Sequence, residues 1–361
     1  MSSRGNLEDF SFHALASLTL TPARSGELLP ALAALDDASF EQFCSLAAAN
    51  HVIVRALEPL ETAAEKAGDA KLAGRCKILI DRERRRIANA IEWLHRITST
   101  LEAEGCPMTV MKSLDHWPDL GSDLDLYTTA DAHAVRRMMQ KCLGARLEPQ
   151  SWGDRLADKW NFRIDGLPEP IELHARRLGQ TGEQLALARR FQVRRVRCCV
   201  MGHEFHVPAP EERILVAALQ RMYRHFYIRV CDIANIARLI DSGAVRFAEL
   251  HRAAQLGGIW KGVCCLLRIV SDYVGQQRGT PLKLPPEVIS AAPFGGEHLH
   301  VRGQFLRLPI LPDAAGLFAA EFASAARRGD MAATMRLSLF PCLASAAAIR
   351  YKITGSDKGI W

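Results

Sequence analysis

The stretch Met111-Lys-Ser-Leu-Asp-His-Trp-Pro-Asp-Leu-Gly-Ser-Asp-Leu-Asp-Leu-Tyr127 ends in an alternation of acidic and apolar residues. Asp123 and Asp125 alternate with Leu124 and Leu126, which is the pattern of a half-buried strand. Because successive side chains of a strand point to opposite faces, the two carboxylates share one face. Like charges repel each other, and a divalent cation between them relieves the repulsion. The stretch therefore predicts a strand that carries a metal site.

A third carboxylate, Glu172, lies in Ile171-Glu-Leu-His174, where polar and apolar residues alternate again. A polar residue centred in such a strand faces either solvent or a functional site. Ser113 follows a short β-rich run and lies ten residues before Asp123. Three carboxylates on neighbouring strands, with a serine at a turn, are typical of metal-assisted phosphoryl or nucleotidyl transfer. The alternative is an acidic sheet face exposed to solvent.

The chain on either side of this region is mainly helical. Residues 81–104 carry apolar side chains at steps of three and four and are followed by Gly105, which predicts an amphipathic helix with a glycine stop. Shorter helices are predicted at residues 39–47 and 51–57. After Pro208, helices are predicted at residues 211–222, 231–240, 260–274 and 317–326, with loops at residues 279–286 and 293–296.

Residues 106–208 show a mixed pattern of strands and helices instead of continuous helical periodicity. They predict strands at residues 108–112 and 123–128, a helix at residues 132–143, and two hairpins, at residues 160–174 and 193–207. Residues 165–170 are rich in turn formers and are predicted to connect the strands of the first hairpin. This part of the chain is therefore a small α+β unit.

Composition places the chain among ordinary globular proteins. Hydrophobic residues make up 48% and charged residues 24%, which excludes a mostly disordered chain. The formal net charge of +6 is a mild excess, compatible with a phosphate-bearing ligand without requiring nucleic acid. No apolar run of membrane length and no apolar leader are present, and the ten cysteines form no CxxC motif. We therefore expect a cytoplasmic protein with reduced thiols, no membrane partner and no zinc knuckle.

These motifs resemble the nucleotidyltransferase superfamily of the DNA polymerase beta type. That superfamily has a hydrophobic-Gly-Gly/Ser element, then about ten residues, then Asp-hydrophobic-Asp, then a third acidic residue on a later strand. Met111-Lys112-Ser113, Asp123-Leu124-Asp125 and Glu172 match these elements in order. More narrowly, the chain resembles the bacterial uncharacterised nucleotidyltransferase family, through Glu172-Leu173-His174, residues 210–216, His225 and Asp232-Ile233. The resemblance covers about residues 40–240.

The resemblance implies an α+β fold in which a small mixed-sheet nucleotidyltransferase core, residues 106–208, is embedded between an N-terminal helical region, residues 1–105, and a C-terminal helical domain, residues 209–361. It implies transfer of NMP from an Mg-NTP, with ATP the expected NTP, to an acceptor with release of pyrophosphate. Asp123, Asp125 and Glu172 would be catalytic residues and ligands of Mg²⁺ or Mn²⁺. Lys112, Ser113, Ser122 and His174 would contact the nucleotide. The acceptor stays open between a small molecule, a peptide and tRNA, and so does the oligomeric state.

Several residues allow two interpretations. His174 shares the face of Glu172 and could contact phosphate, metal or acceptor, or be an ordinary strand histidine. Lys112 could meet a phosphate as a point charge or be a solvated lysine. Seven arginines within residues 176–197 could bind a polyanion, or form a solvated surface. Residues 224–232 carry Arg224, His225, Arg229 and Asp232, which form either a salt-bridge cluster or a substrate contact. His203 and His206 lack a third ligand nearby, so zinc is not expected there.

Other functional classes lack their motifs. No GxxxxGK[ST], no GxGxxG after a strand and no GxSxG is present, which disfavours a Walker ATPase, a Rossmann dehydrogenase and an α/β-hydrolase. Two alternatives to the enzyme stay open. Ser113 stands at a glycine position of the family and the connector before Asp123 is short, so the chain could be a catalytically weak nucleotide-binding module. It could also be a partner-binding helical scaffold with a degenerate core.

Overall fold

The computed structural model describes residues 3–354 and shows a mainly helical α+β fold. The N-terminal helices are α1 Ser3–Leu20, α2 Ser25–Ala33, α3 Asp37–Ala49, α4 Ile53–Ala67 and α5 Ala70–Ala103. Asp36 begins α3 by accepting a hydrogen bond from the Ser39 backbone N–H at 2.7 Å, as N-terminal caps do. The predicted amphipathic helix is confirmed as the second half of α5, and Gly105 follows its end with φ of 76°.

A five-stranded mixed sheet lies after α5. Its parts in chain order are β1 Met108–Val110, β2 Leu124–Thr128, α6 Ala132–Leu143, β3 Arg146–Leu147, α7 Trp152–Leu156, β4 Lys159–Ile164 and β5 Leu167–Ala175. The strand order is β1-β2-β5-β4-β3. Strands β2 and β5 are parallel, and the other neighbouring pairs are antiparallel. The crossover from β2 to its parallel neighbour β5 therefore contains α6, β3, α7 and β4.

The rest of the described chain is again mainly helical. It comprises α8 Leu185–Val193, β6 Arg195–Val200, β7 His203–Pro208, α9 Pro210–Gln220, β8 Tyr227–Ile228, α10 Val230–Asp241, α11 Phe247–Gly257, α12 Trp260–Arg278, α13 Pro286–Ala291, β9 His300–Arg302, β10 Phe305–Arg307, α14 Ala315–Arg327 and α15 Met331–Thr354. Strands β6 and β7 form a hairpin, and β8, β10 and β9 form a small antiparallel sheet in that order.

Two large apolar clusters hold these elements together. One contains side chains of α1, α3 and α4 together with those of α9, α10 and α12, so the N-terminal and C-terminal helical regions pack against each other. The other joins the second half of α5 to α6 and to Leu124, Leu126, Ile171 and Leu173 of the sheet. Tyr127 belongs to the first cluster, so the sheet has an apolar core on both sides. The predicted boundaries at residues 105 and 208 stay predictions.

This arrangement corrects the expectation of a half-buried strand at residues 123–128. All five residues of β2 are buried, Asp125 included. The alternation of polar and apolar residues arises instead because one face of β2 packs on α5 and the other faces the candidate site and α8. An alternating pattern indicates two different environments, of which solvent is only one.

Most other predicted elements are confirmed. Helix α6 and the two hairpins have the predicted positions. The connector of the first hairpin is shorter than expected, because residues 167–170 belong to β5 and only Asp165 and Gly166 remain in the turn. Helices α7, α11, α13 and α15 and strands β3 and β8 to β10 were not predicted. Within residues 3–354, no helix is both long enough and apolar enough to cross a membrane.

The connector between β1 and β2, residues 111–123, is fixed by arginines from the helical regions. Asp119 is buried and accepts hydrogen bonds from the backbone N–H groups of Val54 and Arg55, at 2.7 and 3.2 Å, and from Arg55 Nε at 3.1 Å. Arg213 pairs with Asp115 at 2.6 Å, and Arg238 donates to the carbonyl oxygens of Asp115 and Trp117. The connector is therefore attached to the start of α4 and to α9 and α10.

Replacing Asp119 with alanine should strongly destabilise the protein. The change leaves Arg55 without its carboxylate partner and removes the acceptor for the first N–H groups of α4, so we expect a loss of about 3–5 kcal/mol in the free energy of unfolding. Urea denaturation measures this. The control is Asp165→Ala, because Asp165 is 85% exposed in its pair with Arg146 and should cost under about 1 kcal/mol. Equal effects of the two changes would contradict the anchoring role of Asp119.

Candidate metal and nucleotide site

The parallel pairing of β2 and β5 brings the predicted site residues together. In the register of these strands Asp125 lies opposite Glu172, and Tyr127 lies opposite His174. Residues at alternate positions share a face, so Asp125, Glu172 and His174 project from the same side of the sheet. The sequence alone predicted the shared face of Glu172 and His174 and three carboxylates on neighbouring strands, but not the parallel pairing or its register.

Three ligand atoms converge on this face. His174 Nε2 lies 3.9 Å from Asp125 Oδ1 and 3.8 Å from Glu172 Oε2, and one ligand atom from each of the three residues lies within 4.8 Å of the others. Donor atoms around an ion with bonds of about 2.1 Å lie roughly 3.0–3.4 Å apart, so a modest contraction would complete a metal site. Carboxylate oxygens with one imidazole nitrogen suit Mn²⁺ and also accept Mg²⁺.

Asp123 joins this group through Lys112. The ammonium of Lys112 lies 2.8 Å from Asp125 Oδ1 and 3.7 Å from Asp123 Oδ2. Asp123 and Lys112 are partly exposed, at 26% and 19% of their side-chain surface, whereas Asp125 is 1% exposed. We call Asp123, Asp125, Glu172 and His174 the carboxylate centre. Lys112 is therefore not a solvated lysine, because it bridges two members of the centre.

The two predicted serines have different surroundings. Ser113 is buried, and its hydroxyl accepts a hydrogen bond from the Asp125 N–H at 2.9 Å and donates one to the Asp123 carbonyl oxygen at 3.3 Å. It therefore fixes the backbone of the two aspartates instead of presenting its hydroxyl to a ligand. Ser122 is exposed and directly precedes Asp123, so its hydroxyl is accessible beside the centre.

Sequence reasoning missed a second lysine at the site. Lys159 Nζ lies 3.2 Å from Glu172 Oε1 and 2.9 Å from Asp154 Oδ1, and its side chain is only 6% exposed. In the hairpin register Lys159 lies opposite His174 and Asn161 lies opposite Glu172. The available signal was the two-residue step that places Lys159 and Asn161 on one face of β4. The hairpin register needed to assign that face was not available from the sequence.

Burial and mutual charge set the protonation of the centre. Burial, reinforced by the charge of Asp125, raises the pKa of Asp123 to about 6. Burial alone would also raise the pKa of Glu172, but Lys159, Lys112 and Arg224 outweigh it and hold that pKa far below its usual range. Burial lowers the pKa of His174, so its ring is neutral at physiological pH and keeps a lone pair. The pKa of Lys112 is raised because Asp123, Asp125 and Glu172 outweigh the effect of its burial.

Carboxylates outnumber the cations in direct contact with them. Asp123, Asp125, Glu172 and Asp154 are contacted by two lysines, Lys112 and Lys159, and the charges of Arg224 and Arg229 act on Glu172 and Asp123 without an ion pair to either. Asp125 Oδ2 is buried without a hydrogen-bond partner among the described residues. Buried carboxylates normally have partners, so an unpartnered carboxylate oxygen beside converging ligand atoms matches a divalent cation.

The arginines of residues 176–197 are largely engaged with acids distant in the sequence. Arg190 and Arg194 contact Glu211, Glu212 and Glu249, and two of these three acids, Glu211 and Glu212, are buried. The only acid visible within that stretch of sequence is Glu183. The three-dimensional pairing gives Arg190 and Arg194 a structural role, and the polyanion surface stays a prediction for the exposed Arg189 and Arg197.

Two further polar motifs were singled out in the sequence, the histidine pair at residues 203 and 206 and the charged segment at residues 224–232. His203 and His206 contact Glu92 and Glu102, at 2.9 and 3.2 Å, and no cluster of zinc-ligand type contains them in the described part of the chain. Asp232 pairs with Arg221 at 2.7 Å in a buried contact and accepts a hydrogen bond from the Arg229 backbone N–H. A salt bridge therefore includes Asp232, but its arginine is Arg221, which was not in the predicted set. Arg224 and Arg229 have no carboxylate at ion-pair distance among the described side chains, so the interpretation of residues 224–232 as a salt-bridge cluster is wrong for both of them.

Comparison of the chain with models of protein families, with curated proteins and with solved structures finds no match. The functional proposal therefore depends on the geometry of the carboxylate centre and on the motif resemblance.

Replacing Asp123 with asparagine should stabilise the metal-free protein at pH 7.5. The folded-state pKa of about 6 exceeds that of an unfolded aspartate, about 3.9, so the native state loses stability as pH rises from 4 to 6 and does not regain it above. Asparagine does not ionise, so the variant does not undergo this loss of stability. In EDTA, the variant should therefore melt at a higher temperature than wild type above pH 6, and the two proteins should melt at the same temperature near pH 4. The control Asp165→Asn, at an exposed position, should leave the melting temperature unchanged both above pH 6 and near pH 4. A variant less stable than wild type at pH 7.5 would contradict this electrostatic account.

Proposed function

We propose that the protein is a metal-dependent nucleotidyltransferase that moves NMP from an NTP to an acceptor and releases pyrophosphate. One observation carries the proposal: Asp125 and Glu172 are cross-strand partners on parallel strands, with Asp123 and His174 beside them and Asp125 Oδ2 buried without a hydrogen-bond partner among the described residues. The mixed sheet with its crossover, and the order of Ser113, Asp123, Asp125 and Glu172 along the chain, support a nucleotidyltransferase core at residues 106–208.

The residues present fit Mg²⁺ or Mn²⁺. Asp125, Glu172 and Asp123 would supply oxygen ligands and His174 a nitrogen ligand, and the unpartnered Asp125 Oδ2 has no competing protein donor among the described residues. When bound, divalent cations in such sites neutralise the phosphates and lower the pKa of an acceptor hydroxyl. The nitrogen of His174 favours Mn²⁺ over Mg²⁺, which prefers oxygen.

The chain's own groups have distinct parts in this proposal. Ser113 holds the backbone of Asp123 and Asp125 so that both carboxylates face the substrate. Glu172, kept ionised by Lys159 and Lys112, is available as a base for the acceptor hydroxyl or as a ligand. Lys112 would turn from Asp125 towards the phosphates of the incoming nucleotide as that carboxylate takes up a cation. The acceptor remains open among a small molecule, a peptide and tRNA, and ATP is the expected NTP.

A second candidate is a nucleotide-binding module without turnover. The observation that favours it is Lys112, which bridges Asp123 and Asp125 and so competes with any cation for both carboxylates. Nucleotide binding with no transfer to any acceptor would select this alternative. Absence of both metal and nucleotide binding would select the helical scaffold.

Mg²⁺ or Mn²⁺ together with NTP should raise the melting temperature. A ligand at about 100 times its Kd that binds only the folded state adds about 2.7 kcal/mol, which corresponds to roughly 3 °C or more. Differential scanning fluorimetry with each of the four NTPs measures the shift, and Asp125→Asn should abolish it. The matched control Glu148→Gln, at the far edge of the same sheet, should keep it. A shift that persists in Asp125→Asn would place the ligand elsewhere.

Replacing Glu172 with glutamine should reduce turnover far more than nucleotide binding. Glutamine keeps the shape of the side chain and removes the charge, and losing a base or an electrostatic contribution costs on the order of 10²–10⁴ in rate. The assay is incorporation of labelled NMP into cell extract or into the protein itself, with NTP binding measured in parallel. Glu148→Gln is again the control. Equal incorporation by wild type and Glu172→Gln would refute the assigned role of Glu172.

A further inference from the structure

The C-terminal region contains a group of two arginines and two aromatic residues in mutual contact. Strand β8 follows α9 and places Tyr227 directly opposite Arg307 of β10. The rings of Tyr227 and Phe305 stack with their centres 4.3 Å apart. The guanidinium groups of Arg229 and Arg307 each lie 5.0–5.6 Å from the centres of both rings. We call these four residues the arginine–aromatic cluster.

The arginines of this cluster differ from most buried or half-buried arginines of the chain. Arg55, Arg86, Arg190, Arg194, Arg213 and Arg221 all contact carboxylates. Arg229 and Arg307 have no carboxylate at ion-pair distance among the side chains that the structure describes, and neither does the neighbouring Arg224. Arg229 Nε is moreover buried without a hydrogen-bond acceptor in that part of the chain. Buried guanidinium groups normally have acceptors, so the absence of one points to a missing anion.

Aromatic contacts hold the guanidinium groups without using their hydrogen-bond donors. A cation near an aromatic ring keeps its charge, and the N–H groups of arginine remain free in the guanidinium plane. The one side-chain donor bond in the cluster is from Arg229 Nη2 to the Tyr227 hydroxyl, at 3.3 Å. Two such groups side by side match an anion with several oxygens, and the fork of N–H donors matches phosphate in particular.

The segments that carry the two arginines are fixed to each other. Asn50 is fully buried at the end of α3. Its Oδ1 accepts a hydrogen bond from the Val230 N–H at 2.9 Å, and its Nδ2 donates to the Gln304 carbonyl oxygen at 2.9 Å. Val230 follows Arg229 and Gln304 directly precedes β10, so the Asn50 side chain links both segments. The arginines are therefore positioned before any ligand arrives, which lowers the entropic cost of binding one.

The cluster lies close to the carboxylate centre. Lys112 and Arg221 line the same small cavity, together with Asp232. Arg221 also lies 5.5 Å from the ring centre of Tyr227. The charge of Arg229 acts on the pKa of Asp123, and that of Arg224 on the pKa of Glu172. His51, His116 and His225, which lie among these arginines, have pKa values lowered by burial and add no charge at neutral pH.

We propose that Arg229 and Arg307 form a binding site for a phosphoryl oxyanion, which they present to the carboxylate centre. The anion supplies the oxygen acceptors that both guanidinium groups lack, beside a centre whose own charge would repel phosphate. Its chemistry is that of the phosphate tail of a nucleotide or of a phosphorylated acceptor. The anion site itself does not depend on metal, whereas its part in transfer rests on the proposed function.

The test is phosphate binding in EDTA, without any nucleotide or metal. Isothermal titration calorimetry at low ionic strength is carried out with inorganic phosphate, pyrophosphate and tripolyphosphate. We expect saturable binding that weakens with added NaCl. Tripolyphosphate binding more tightly than phosphate would identify the nucleotide tail as the source, and equal affinities would identify a phosphate monoester of the acceptor. No saturable binding of any of the three would overturn the proposal.

Substitutions distinguish a binding site formed by specific arginines from nonspecific attraction of phosphate to positive charge on the protein surface. Arg307→Gln should weaken binding about 10–100-fold, the effect of losing a charge-assisted contact, and Arg307→Lys should retain part of the affinity. The matched control is Arg96→Gln, because Arg96 is an exposed arginine that lies 4.9 Å from the ring centre of Trp93 on α5. Unchanged binding in Arg307→Gln, or an equal loss in Arg96→Gln, would overturn the proposal. Circular dichroism verifies that each variant is folded.

Asp125→Asn distinguishes this inference from the proposed function. That variant should lose the response to metal and NTP and keep phosphate binding in EDTA, because Asp125 belongs to the carboxylate centre and not to the arginine–aromatic cluster. Loss of transfer in every assay together with intact, Arg307-dependent phosphate binding would refute the nucleotidyltransferase alone. Metal-dependent transfer with no phosphate binding in EDTA would refute the anion site alone.

Discussion

The pairing of β2 with β5 places two carboxylates side by side in the interior. Asp125 and Glu172 are opposite each other in a sheet that has apolar cores on both sides, and the Asp125 side chain is only 1% exposed while that of Glu172 is 21% exposed. Removing charge from water costs several kcal/mol unless partners compensate for it. The surroundings of this pair follow from that constraint: two lysines in contact with the carboxylates, and a histidine whose pKa burial lowers.

Contacts from several other elements fix the positions of Asp123 and Asp125. Ser113 ties the start of β2 to the preceding turn, and Asp119 ties the same connector to α4. Helices α9 and α10 supply Arg213 and Arg238, which fix the connector from the other side. Both helical regions therefore contribute directly to the geometry of the centre, and they share one apolar core. Such contacts preorganise the side chains of a site before a ligand binds.

The sequence was informative where the physical signal is local. The two-residue step of Asp123 and Asp125, the helix of residues 132–143 and the turn at Asp165-Gly166 need only neighbouring residues to be recognised. The partners of Glu172 are different, because Lys159 reaches it through a hairpin register that the bulge near Phe162 shifts. The acids opposite Arg190 and Arg194 lie 17 to 59 residues away in the sequence. Likewise, the joining of β8 to β10 depends on pairing across the C-terminal region, and both strands are too short for a periodicity to be visible.

The most direct test of the account is the position of a bound ion. Crystals grown or soaked with Mn²⁺ and a non-hydrolysable NTP analogue would be examined by anomalous diffraction at the manganese edge. The account predicts a manganese peak at about 2.0–2.3 Å from oxygens of Asp125 and Glu172, with the ammonium of Lys112 turned from Asp125 to a phosphate oxygen. Manganese and nucleotide bound at another place, with Lys112 still on Asp125, would contradict it.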